Sequence, residues 1–114
     1  MSATFDAMEA VGVGTSAVQL AKAGVPYSTP ATKRDVLIGL LLANLSSTTP
    51  ISVDVFIQRG TAQIYLGVAI PLPIGSSLEF VDGKIVLLPS DQVFVRSTVN
   101  NSLSAHMSLM RSDA

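Results

Sequence analysis

From Ile51 onward, apolar and polar residues mostly alternate along the chain. Alternation puts the two classes on opposite faces of an extended backbone, because the strand repeat is two residues. In Ile51 to Gln58 the apolar set is Ile51, Val53, Val55 and Ile57, with Ser52, Asp54 and Gln58 on the other side. The segment is rich in β-branched residues, as a half-buried strand requires. Arg59-Gly60-Thr61 then turns the chain into Gln63 to Ile70, a second strand expected to pair with the first as a hairpin, and Pro71, Pro73 and Gly75 end it. Ser77 to Val81 leads through Asp82-Gly83, a two-residue link suited to positive φ, into Lys84 to Leu88, which predicts another hairpin. Pro89-Ser90-Asp91 makes a further turn, Gln92 to Val99 alternates again, and Asn100-Asn101-Ser102 breaks the pattern. In the last strand Leu103, Ala105, Met107 and Leu109 share one face while Ser104, His106 and Ser108 share the other.

The first half alternates less. Asp35 to Asn44 is apolar almost throughout and is compatible with a buried strand or a short helix. Gly39 at its centre, with Pro30 and Pro50 bracketing the region, favours a central strand buried on both faces. Ala10 to Gly14 and Ala17 to Ala21 read as one or two strands. Residues 1–9 are expected to form an N-terminal arm that reaches a neighbour, and residues 10–114 one β-sandwich domain. The fold class is therefore all-β: a single-domain antiparallel β-sandwich or jelly roll of about seven or eight short strands.

Composition sharpens this picture. Of 114 residues, 48% are hydrophobic and 13% charged, against a usual charged share of about 25%. A small domain buries a modest fraction of its surface, so this much apolar material exceeds what one core hides. A partner surface such as a second copy is expected to cover the remainder, making the chain a homo-oligomer. The net charge is -1 and the basic residues Lys22, Lys33, Arg34, Arg59, Lys84, Arg96 and Arg111 are scattered. No footprint for a nucleic-acid backbone results. The start, Met1 to Asp6, lacks the basic and apolar regions of a signal peptide and is expected to be a mature end. The run from Val36 to Ala43 falls far short of the roughly 20 residues that span a bilayer as a helix, so no membrane partner is expected.

The chemistry-bearing residues are few. His106, the one histidine, lies among serines on the polar side of the last strand, where a solvated or interfacial role is the plainer reading. The acidic residues Asp6, Glu9, Asp35, Asp54, Glu79, Asp82, Asp91 and Asp113 show no ligand spacing, and there is no cysteine. No Gly-x-Ser-x-Gly elbow accompanies the abundant serines, and Gly12-Val13-Gly14 lacks the third glycine of a dinucleotide motif. The triplets Asn44-Leu45-Ser46 and Asn100-Asn101-Ser102 have the form of glycosylation acceptors, a pattern common by chance. No residue is nominated as catalytic, cofactor-binding or metal-ligating, and no enzyme activity is expected.

One further feature is the order of segments from Leu40 to Leu109. Leu42-Ala43-Asn44 is followed by a Ser/Thr-rich turn, by Val53-Asp54-Val55-Phe56-Ile57, by Ile70-Pro71-Leu72-Pro73-Ile74-Gly75-Ser76-Ser77-Leu78, and by Gly83-Lys84-Ile85-Val86-Leu87 and Ser90-Asp91-Gln92-Val93. This succession resembles small β-sandwich virion structural proteins of tailed bacteriophages, although Leu88-Pro89-Ser90-Asp91 lacks the glycine that precedes the aspartate in that style. The resemblance implies a non-enzymatic subunit of decoration, cement, neck or collar type, binding major capsid or portal, neck or tail proteins. It implies a virion location after synthesis in the host cytoplasm, and it transfers no functional residue. The Met1 to Met8 arm, the Val25 to Thr32 loop and the Pro71 to Ser76 loop are the expected contact elements. The alternative is a carbohydrate- or receptor-binding sandwich of a tail or cell-surface protein, weakened by the absence of tryptophan.

Overall fold

A computed structural model describes residues 4–22, 24–80 and 84–113 of the chain. Among these residues there is no helix, and eleven strands form two antiparallel sheets packed as a β-sandwich about 48 × 27 × 25 Å in extent. The strands are β1 (Thr4–Val13), β2 (Val18–Gln19), β3 (Ala21–Lys22), β4 (Val25–Pro26), β5 (Lys33–Asn44), β6 (Ile51–Arg59), β7 (Ala62–Leu72), β8 (Ser77–Glu79), β9 (Ile85–Leu87), β10 (Gln92–Ser97) and β11 (Leu103–Asp113). The larger sheet runs β4-β3-β1-β11-β5-β8, with β9 also on β5, and the smaller runs β2-β10-β6-β7.

The alternating residues do what their period requires. Val53, Val55 and Ile57 of β6 and Val93 and Val95 of β10 face Leu103, Ala105, Met107 and Leu109 of β11, all of them buried. Burying each such side chain contributes about 1.5–3 kcal/mol. The β6–β7 hairpin forms as expected, with Arg59 opposite Ala62 and Gly60 in the left-handed region at φ 61°.

Four expectations are corrected. First, residues from Thr4 to Glu9 do not stand away as an arm. They form the start of β1, in register with Arg111 to His106 of β11. A chain whose alternate residues Met8 and Ala10 are buried is held on the sheet. Second, the segments flanking Asp82-Gly83 do not pair with each other. The link itself lies outside the described residues, but β8 and β9 both pair with β5, against Leu41–Ala43 and Asp35–Leu37 respectively. They run in the same direction, as two pieces of one interrupted edge strand, because β5 with its 12 residues offers an edge longer than either piece could offer the other.

Third, the strand count is higher because short pieces change sheets. Between β2, which pairs with β10, and β3, which pairs with β1, buried Leu20 crosses from one sheet to the other, its N–H donating to the Val93 carbonyl. Fourth, β5 is a strand in the middle of its sheet, but only one of its faces is buried. Leu37, Leu40 and Leu42 enter the core, and Val36, Ile38 and Leu41 do not. Leu109 pairs with Leu37 and Ser108 with Gly39, so Ile38 is the extra residue of a bulge, which sets Leu37 and Leu40 on the same side despite their spacing. Glu79 accepts a hydrogen bond from the Leu40 N–H at 2.7 Å beside this bulge, and a β-carbon on Gly39 would lie 3.1 Å from that carboxylate oxygen.

Candidate interaction surface

The solvent side of the larger sheet carries the residues that the alternation excludes from the core. On β1 these are Phe5, Ala7, Glu9 and Val11; on β11 they are Ser104, His106, Ser108 and Met110; on β5 they are Val36, Ile38, Leu41 and Ala43. Val86 of β9 continues the row from Val36 and Met110 to the sheet edge. Phe5 is 75% exposed and Leu41 41%, so apolar side chains here meet solvent rather than each other. Phe5, Ala7, Ile38 and Ser108 bound a shallow groove along this face. Toward the other end of the face the polar residues gather, with Glu9 opposite exposed His106 on β11 and Glu79 opposite Leu41.

One end of the sheet is locked by a buried polar network. Asp35, fully buried, receives Arg111 through Nε at 2.8 Å and through the terminal nitrogen at 3.0 Å, and the Tyr27 hydroxyl at 2.6 Å. The Tyr27 hydroxyl also lies 2.7 Å from the Thr29 hydroxyl. Burial, and then the adjacent Asp35 carboxylate, push the Tyr27 phenol well above its ordinary value of 10.0, which keeps it protonated. Arg111 is raised in turn by its bond to Asp35. Near the rim, Lys22 pairs with Asp6 at 2.8 Å and holds that carboxyl below its usual 3.8. The cleft above, lined by Asp6, Lys22, Tyr27 and Arg111, contains two cations and one carboxylate already engaged with each other. Its polar groups are structural ties, and they explain why the Val25 to Thr32 loop is anchored: Tyr27 and Thr29 are buried, and Thr29 exchanges backbone hydrogen bonds with Ser90 and Asp91.

The other residues singled out from sequence also have structural partners. Asn44 is buried and donates to the carbonyls of Thr49, Leu72 and Pro73 while accepting from the Ser46 N–H, so its amide ties the Pro71 to Ser76 loop to β5. Ser102 is buried against the Ser97 hydroxyl at 2.7 Å. Asp91 anchors its own turn by accepting from Leu88 N–H and from Arg59. Gly12, at φ 70°, sits where the β1–β11 register shifts. Among the described residues no group of three or more His, Asp or Glu side chains is placed to hold a metal ion.

No protein family, curated protein or solved structure matches this chain. The surface must therefore be read from its own chemistry. On the outer side of the smaller sheet, Phe56 stacks on Phe94 with ring centroids 5.2 Å apart and contacts Tyr65 at 5.1 Å. Phe56 is only 4% exposed beneath its two neighbours, and of the three rings Tyr65, 43% exposed, is the one that faces solvent. Sequence reasoning missed the Tyr27, Asp35 and Arg111 network. Its one local sign was a charged residue, Asp35, opening an otherwise apolar run.

Proposed function

We propose that this protein is a non-enzymatic structural subunit that attaches to a larger assembly through the outer face of its larger sheet, as a decoration, cement or collar subunit on a tailed-phage capsid or neck. The apolar outer row of Phe5, Met110, Val36 and Val86 supports this reading most directly. The three long strands β1, β11 and β5, about 4.8 Å apart and about 35 Å long, span roughly 500 Å² in projection, and β8 and β9 extend them at the edge. Standard protein interfaces cover roughly 600–1,000 Å² per partner, so the face with its edge pieces suits a contact at the small end of that range. Many copies on a symmetric surface add their affinities, so each needs only a modest contact.

Purified particles from cells expressing the chain test the proposal by quantitative mass spectrometry. Multiple copies per particle are expected, and the doubly substituted Val86→Asp, Met110→Asp chain should be lost from particles while keeping its β-sheet circular dichroism. Absence of the unsubstituted chain from particles would exclude the proposal.

A further inference from the structure

The two sheets end in four edges, and one of them differs from the rest. β2 and β4 are two residues long, and β8 and β9 are three each, separated by an interruption. Such short or broken edges are poor templates for another strand. β7, by contrast, is 11 residues long, and among the described residues β6 is its only strand neighbour. Every second residue of an antiparallel edge strand turns its N–H and C=O outward. An extended backbone is the partner that satisfies such a row along its length.

Natural edges of this length are usually blunted by charge, by proline or by a bulge. β7 contains no Lys, Arg, Asp or Glu. Its blunting devices begin just past Tyr65: the register with β6 shifts at Leu66 and again at Val68–Ala69, where Ala69 lies at φ 54° with its N–H on Asp54, and Pro71 follows. The stretch from Ala62 to Tyr65, next to the hairpin turn, stays in unbroken register with β6. Ile64 shares the inward side of its partner Ile57, which is buried, yet is itself 37% exposed because no strand lies beyond it.

We infer that β7 pairs with β7 of a second copy, antiparallel across a two-fold axis, joining the two smaller sheets into one. The self-pairing follows from three features. A neutral strand meets its own copy with no like charges opposed. A two-fold brings the hairpin-proximal halves together and leaves each bulge at the periphery. Ile64 of each copy extends the partner's core edge, which covers the apolar side chain that the single chain leaves open. Since each chain has one edge of this kind, the pairing closes at two copies and does not grow into a fibre. The inference concerns the opposite sheet from the proposed docking face and stands whether or not that proposal does.

Sedimentation of the full chain between about 1 and about 100 µM tests it, over the range where weak interfaces dissociate. The unsubstituted chain should sediment as a dimer at the upper end. Gln63→Lys, at an exposed position of β7, should weaken the dimer roughly tenfold or more, because the like charge enters twice. Gln63→Glu should do the same, and an equimolar mixture of the two variants should dimerise again. Val86→Asp on the docking face should leave the dimer intact. A chain that is monomeric at 100 µM, or variants that dimerise as tightly as the parent, would overturn the inference.

Discussion

Removing one partner from the Asp35 and Arg111 pair should cost far more than removing both. Asp35 is fully buried and accepts two hydrogen bonds from Arg111 and one from the Tyr27 hydroxyl. In Arg111→Met the carboxylate stays buried with Tyr27 as its remaining strong donor. Stranding a buried charge in this way costs about 3–5 kcal/mol. The retained Tyr27 bond places the expected loss near the lower bound, about 3 kcal/mol, a large part of the 5–15 kcal/mol that holds a typical domain folded. In the double variant Asp35→Leu, Arg111→Met both members of the buried pair are gone, Asp6 keeps Lys22 and Tyr27 keeps the Thr29 hydroxyl, so the cost should fall to about 1 kcal/mol or less. Urea unfolding followed by circular dichroism reads the difference. With a urea slope of about 1–3 kcal/mol per molar, the single variant should shift its midpoint down by about 1.5 M and the double by well under half of that. If the double variant loses as much as the single variants added together, the pair is not coupled and the account of this end of the sheet is wrong.

Two other outcomes follow from named contacts. Asn44→Ala leaves the carbonyls of Leu72 and Pro73 without the amide donor they share, and should cost about 1–3 kcal/mol of unfolding free energy in the same assay. Asp6 and Asp54 are both held below their ordinary 3.8, Asp6 first by Lys22 and Asp54 first by the Ala69 N–H and then by Arg96. A depressed folded-state value contributes stability above the unfolded value that is lost as pH falls through the folded one, so the urea midpoint should drop below about pH 4, and less so in Asp54→Asn.

The faces of β6, β10 and β11 were legible because a two-residue period with one buried side leaves no freedom of register: Val53, Val55 and Ile57, or Leu103 to Leu109, enter the core together or not at all. The turn at Gly60 was legible for a similar local reason. The expected hairpin at Asp82-Gly83 failed because turn chemistry is local and pairing is not. Nothing in residues 77–88 reveals that β5 offers both segments a longer partner. The Asp35 and Arg111 pair was hidden by a separation of 76 positions. The bulge at Ile38 was hidden because both faces of β5 are apolar, so no alternation of residue type is left to show the change of phase.

That run still requires an explanation, and the comparison between neighbouring strands supplies it. β11 and β5 lie side by side, and their outward residues share one solvent face. On β11 the positions next to the centre are Ser104, His106 and Ser108, which shows that the fold accepts polar residues there at no cost to the core. On β5 the equivalent row is Val36, Ile38, Leu41 and Ala43. Folding alone places no apolar demand on those sites, because their side chains do not reach the interior. The same holds for Val68, 64% exposed on uncharged β7. In a chain with only 13% charged residues, Phe5, Val11, Leu41 and Val86 of that face and Ile64, Tyr65 and Val68 of β7 make up much of the exposed apolar surface, beside scattered positions such as Val25, Leu45 and Ile74. Surfaces of that kind lower the free energy of the protein only when something covers them.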